Sequence, residues 1–91
     1  MSYLKSDTDL KALFAMIAEG DKIAFKTLFE LYKVKLYAVA FKWVKSAYDA
    51  EEITQDVFVG IWKSRAKLAA VADPCAYIYT TLYNQVNRYL K

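Results

Sequence analysis

Two glycines and one proline are the only strong helix breakers in this 91-residue chain, and their scarcity constrains its fold more than any other feature. Between these punctuation marks, apolar residues recur at helical spacing almost without interruption. The expected fold is therefore all-α, a compact bundle of four helices joined by short connections. A first helix is predicted from Asp7 to Ala18: Leu10, Leu13, Phe14 and Ile17 recur at i, i+3, i+4 and i+7, and Gly20 stands where a left-handed cap belongs. A second is predicted over 21–44, with Phe25, Leu28, Phe29, Tyr32, Leu36, Val39 and Trp43 as one core-facing stripe. The third begins within SAYDAEE, where either Ser46 before Asp49 or Asp49 before Glu52 reads as an N-cap followed three residues later by an acid. It is predicted to run to Ser64, and after RAKLAAVAD the pair Asp73 and Pro74 reads as the N-cap and first residue of a last helix.

At 57% hydrophobic and 25% charged, the chain has the apolar material for one core, so a single domain over 1–91 is expected and disorder is not. No apolar run reaches the roughly 20 residues that span a bilayer. The start MSYLKSDTD lacks the basic flank, apolar block and cleavage site of a secretory signal, so a cytoplasmic protein with no membrane partner is expected. The lone Cys75 suits a reducing compartment and reads as a small buried or semi-buried side chain. Catalysis finds few candidates. The chain has no histidine and no glycine-rich phosphate loop, and the four acids within 49–56 diverge around a helix instead of converging on a cation. No enzymatic activity, metal or cofactor is expected.

Charge is segregated along the sequence: residues 1–45 carry net +3, 46–62 carry −4 and 63–91 carry +4. A basic surface attracts phosphates or acidic partners, whereas an isolated acidic face attracts a basic protein, so two kinds of partner are implied. On the third helix Ala50, Ile53, Thr54, Val57 and Ile61 share the inward arc, and Glu52, Gln55, Asp56, Val59 and Lys63 lie opposite. Two readings are open there. One is a solvated face with a stray valine; the other is a docking face whose carboxylates rim a small apolar contact, with Trp62 at its edge. On the last helix Ile78, Leu82, Val86 and Tyr89 are expected inside, flanked by Tyr79 and Leu90. Tyr77, Thr80, Thr81, Asn84, Asn87, Arg88 and Lys91 are expected outside, and the preceding connection adds Lys63, Arg65 and Lys67. Hydroxyls, amides, cations and a ring with no carboxylate among them can hold phosphates and stack on unpaired bases, with plain solvated surface as the alternative.

The order AEGDKIAFKTLFELYKVKLYAVAFKWVKSAYDAEEITQDVFVGIWKSRAKL followed by PCAYIYTTLYNQVNRYLK resembles region 2 of bacterial RNA polymerase sigma factors of the extracytoplasmic-function (ECF) group, over nearly the whole chain. DAEEITQDVFVGIW, similar to the family's acidic, glutamine-bearing, tryptophan-ended helix, is the most specific part, and AYIYTTLYNQVNRYL is a second match. The resemblance implies a DNA-binding protein of transcription initiation. Asp49, Glu52, Gln55 and Asp56, around Val59, would dock on the coiled coil of the polymerase β′ clamp. The connection over 63–73 and the outer face of the last helix would engage the minus-ten promoter element, melt it and capture a non-template base outside the stack. Lys63, Arg65, Lys67, Tyr77, Asn84, Arg88 and Lys91 are the DNA contacts so implied, Arg65 and Lys67 as phosphate contacts. An anti-sigma factor is a further partner the family admits.

Two departures stand out. Tyr83 occupies a position where many family members have arginine, and region 4, the family's second helical domain, is absent, so the chain reads as an excised domain. The alternative function is a sigma-like helical adaptor that uses the acidic face and does not bind DNA.

Overall fold

The computed structural model describes residues 7–90. Four α-helices follow one another, α1 (Asp7–Ala18), α2 (Lys22–Val44), α3 (Ala47–Lys63) and α4 (Pro74–Leu90), and a 3₁₀ segment (Arg65–Ala70) links the last two. The all-α bundle is as expected, and the connection before α4 has more structure than a loop.

Local chemistry sets each boundary. Gly20 adopts φ 92°, a conformation that side chains resist, and its N–H donates to the Ile17 carbonyl at 2.8 Å. Asp21 then caps α2, its carboxylate accepting from the Ile23 and Ala24 amides at 2.9 and 3.0 Å. Between the two candidate starts of α3, Ser46 is the cap: its Oγ accepts from the Asp49 amide at 3.2 Å. Asp73 caps α4 in the same way, accepting from the Ala76 amide at 3.1 Å.

The end of α2 is less favourable. Lys45 closes it in the left-handed region at φ 57°, its N–H donating to the Phe41 carbonyl. A Cβ in that conformation is disfavoured, so Lys45→Gly is expected to stabilise the domain by about 0.5 kcal/mol, or about 2–4 °C in Tm by thermal unfolding.

The core is drawn from every element. Phe14 and Ile17 of α1, Leu28 and Leu36 of α2, Val57 and Ile61 of α3, Leu68 of the 3₁₀ segment, and Ile78 and Leu82 of α4 are all sealed from solvent. Thr54 is buried among them with its hydroxyl donating to the Ala50 carbonyl at 2.8 Å, which satisfies its polar atom within the helix. α3 packs against both α2 and α4, while α1 covers the 3₁₀ segment.

Three expected core positions are corrected. Trp43 is 53% exposed, because α2 meets its neighbours along the i, i+4 ridge of Ala24, Leu28, Leu36 and Ala40, and this ridge passes Trp43 by. Tyr89 and Leu90 are exposed as well, since they lie beyond Val86, the last buried residue of α4. Tyr77 differs in the opposite sense: expected outside, it is half-buried, its ring edge-on to Phe14 at 6.0 Å where α4 meets α1.

Candidate functional site

Two adjoining grooves lie between α2 and α3. One, of about 340 Å³, is lined by Phe29, Lys33, Val34, Tyr37, Glu51, Thr54 and Gln55. The other, of about 370 Å³, is lined by Phe25, Phe29, Gln55, Phe58, Val59, Trp62 and Lys63. Phe29 and Gln55 belong to both, so the grooves form one apolar trough with an amide at its middle.

Packed aromatics form the floor. Phe58 is 3% exposed and sits edge-on to Phe29 at 4.9 Å and to Phe25 at 6.4 Å, and Phe25 lies 5.0 Å from Trp62. Such pairs add to the stability conferred by burial. On α3, Gln55 and Val59 are exposed in the lining of the trough, where the carboxylate is that of exposed Glu51, whereas Glu52 and Asp56 are exposed on the same helix outside that lining. Among the described residues no lysine or arginine forms an ion pair with Glu52 or Asp56, and the ion pair present joins Lys33 and Glu30 at 2.9 Å. Glu52 and Asp56 therefore present unpaired charge beside the uncharged, exposed Gln55 and Val59.

Asp49, the fifth residue expected on this surface, is differently placed. It is half-buried at the start of α3, and its carboxylate accepts a hydrogen bond from the Tyr89 hydroxyl at the end of α4. That bond joins the first turn of α3 to the last turn of α4, as expected of two packed antiparallel helices. The hydrogen bond to Asp49 raises the Tyr89 pKa above its usual 10.0, helped by desolvation and by the carboxylate's charge. A raised value means that the bond is intact at neutral pH and is lost as pH rises through the folded-state pKa. Tyr89 is expected to titrate above 10 by NMR and to fall back toward 10 in Asp49→Asn.

The other expected surface is on α4. Asn84 and Arg88 are exposed one turn apart, with Thr80, Asn87 and Tyr83 beside them, and no carboxylate lies on α4. Lys67 is exposed on the 3₁₀ segment. The remaining expected DNA contacts are dispersed. Lys63 lines the trough beside Val59 and Trp62, Tyr77 packs on Phe14, and Lys91 lies outside the described residues. Arg65 is half-buried: its guanidinium sits 4.3 Å from the Trp62 ring centre, and its Nη1 donates to the Trp62 carbonyl at 2.9 Å.

The sequence reading missed the contribution of α2 to the trough. Phe25 and Phe29 were assigned to the core, and Val34 and Tyr37 were not singled out. The available signal was the exposed Val34 among lysines, but its meaning depends on which side of α2 receives α3. Among the described residues no cluster of acids or cysteine could hold a metal ion, and no helix is long and apolar enough to cross a membrane.

The Sigma-70 region 2 family model matches residues 28–91. Similar proteins include the ECF RNA polymerase sigma factor SigK of Mycobacterium sp. (strain KMS), 28% identical over 79 residues, which are 86% of this chain and 41% of that protein. The protein of the same name from Mycobacterium ulcerans (strain Agy99) is 26% identical over 78 residues, 85% of this chain and 42% of that protein. That from Mycobacterium tuberculosis (strain ATCC 25177 / H37Ra) is 23% identical over 79 residues, with 86% and 42% covered. The chain thus spans less than half the length of these relatives. No solved structure matches it.

Proposed function

This chain belongs to the Sigma-70 region 2 family, and from that premise we propose that it is the part of an ECF sigma factor that docks on the β′ clamp coiled coil of RNA polymerase and opens the minus-ten promoter element. The docking surface is the trough between α2 and α3, with Gln55 and Val59 in its α3 wall, together with Glu52 and Asp56 exposed on the same helix outside the lining. The promoter surface is the outer face of α4 with the connection before it, where Lys67, Asn84 and Arg88 meet the melted non-template strand.

One observation carries the reading: the unpaired carboxylates stand on α3, while α4 has none. Nucleic acid is repelled by the first surface and attracted by the second, so one small domain can hold a polymerase subunit and a DNA strand without mixing them. Unpaired bases are recognised by edge hydrogen bonds and stacking, and exposed Asn84 and Tyr83 are suited to these tasks.

The test is binding of a single-stranded minus-ten oligonucleotide by the polymerase-bound domain. Asn84→Ala is expected to weaken it by about 1–3 kcal/mol, the range for a base-edge contact. Arg88→Ala is expected to weaken binding whatever the base sequence and to reduce the salt slope by about one. If neither substitution changes the affinity, α4 is not the promoter surface. The adaptor reading then takes precedence.

A further inference from the structure

The side chain of Arg65 begins on the promoter-facing connection and ends on the wall of the docking trough. Its guanidinium lies over the Trp62 ring, 4.3 Å from the ring centre, and Nη1 donates to the Trp62 carbonyl at 2.9 Å. Trp62 in turn lies 5.0 Å from Phe25 and lines the trough with Val59 and Gln55. Phe25, Trp62 and Arg65 thus form a continuous row from α2, across the end of α3, into the 3₁₀ segment.

Two physical effects hold Arg65 there. The Trp62 carbonyl belongs to the last turn of α3, where acceptors lack helical partners and the helix dipole is negative. The flat guanidinium also suits the indole face, which a lysine ammonium cannot cover in the same way. Beyond Arg65 the segment ends in turns closed by bonds from the Lys67 amide to the Ser64 carbonyl at 2.9 Å and from the Val71 amide to the Leu68 carbonyl at 3.1 Å, with Leu68 sealed from solvent between them. Lys67, the exposed cation of the connection, is only two residues away.

We propose that Arg65 is a positioning residue: acting through Trp62, it ties the promoter-facing connection to the wall of the docking trough, so that a partner seated in the trough also fixes the connection. This rests on the assignment of the two surfaces made above. It gives Arg65 a role other than phosphate contact, and it makes polymerase docking and promoter capture thermodynamically coupled.

Arg65→Lys separates the two roles, since it keeps the charge and removes the planar fork. The first readout is amide exchange in the free domain, which requires no partner. Lys67 and Val71 amides are expected to exchange about tenfold faster in both Arg65→Lys and Arg65→Ala, the scale of one cation–π contact with one charged hydrogen bond, while the Leu82 amide is unchanged. Wild-type protection in Arg65→Lys would overturn the proposal. The second readout is the factor by which an isolated β′ clamp coiled coil raises affinity for a minus-ten oligonucleotide. Arg65→Lys is expected to bring that factor close to one while leaving the salt slope unchanged. If Arg65→Lys keeps the factor and Arg65→Ala lowers the salt slope by about one, Arg65 is a phosphate contact and the proposal fails. If the coiled coil binds neither protein, the assignment of the trough fails, and amide exchange still decides whether Arg65 places the connection.

Discussion

Phe58→Ala is expected to destabilise the domain by about 3–4 kcal/mol, the cost of emptying an aromatic site in a core that cannot fully collapse. Phe58 is 3% exposed and touches Phe29 and Phe25 edge-on, so the truncation removes ring contacts as well as buried area. In a domain of this size the loss is about 12 °C or more in Tm. Urea unfolding gives the free energy, and the neighbouring Val59→Ala is the control. Val59 is 49% exposed, so its truncation should stay within about 0.5 kcal/mol. The two adjacent residues thus separate the packed floor of the trough from its exposed rim. A cost below about 1 kcal/mol for Phe58→Ala would mean that Phe25 and Phe29 close over the gap and that the trough has no fixed floor.

Phe58 also marks where sequence pattern stops being informative. The inward arc of α3 was legible because Ala50, Ile53, Thr54, Val57 and Ile61 repeat at helical spacing, and all five are buried. Phe58 flanks that arc and becomes core only because α2 closes over it, a tertiary fact that no single-helix periodicity contains. Trp43 failed for the same reason, since the ridge that α2 uses depends on the small Ala24 and Ala40 allowing close approach. Boundaries were far more legible. Gly20, Asp21, Ser46 and Asp73 act on neighbours within four residues, and their effect is local. For the functional surfaces, the exposure of Glu52, Gln55, Asp56 and Val59 on α3 and of Asn84 and Arg88 on α4 followed from the same wheel, whereas Tyr77 and Tyr89 departed from it and the partners of Asp49 and Arg65 were not legible. Tyr89 is forty residues from Asp49, and Arg65 turns back onto Trp62 instead of outward to solvent.

Charge reversal on α3 is the second large effect, and it bears on function where Phe58→Ala bears on stability. Glu52→Lys and Asp56→Lys are each expected to weaken binding to an isolated β′ clamp coiled coil by about 1–2 kcal/mol, measured by calorimetry. Both side chains are exposed, and no described lysine or arginine pairs with them, so reversal breaks no internal ion pair and the domain should unfold at nearly its original temperature. Asp49 is a poorer probe, because its substitution also removes the acceptor of Tyr89 and confounds binding with packing. The loss should shrink as salt rises from 0.05 to 0.5 M, since the Debye length that screens charges at an interface rim falls from roughly 14 to roughly 4 Å over that range. A loss that ignores salt would point instead to a shape clash in the apolar trough. If the folded wild type does not bind the coiled coil at all, the carboxylates of α3 are a solvated helix face, and the trough between α2 and α3 must be assigned to another partner.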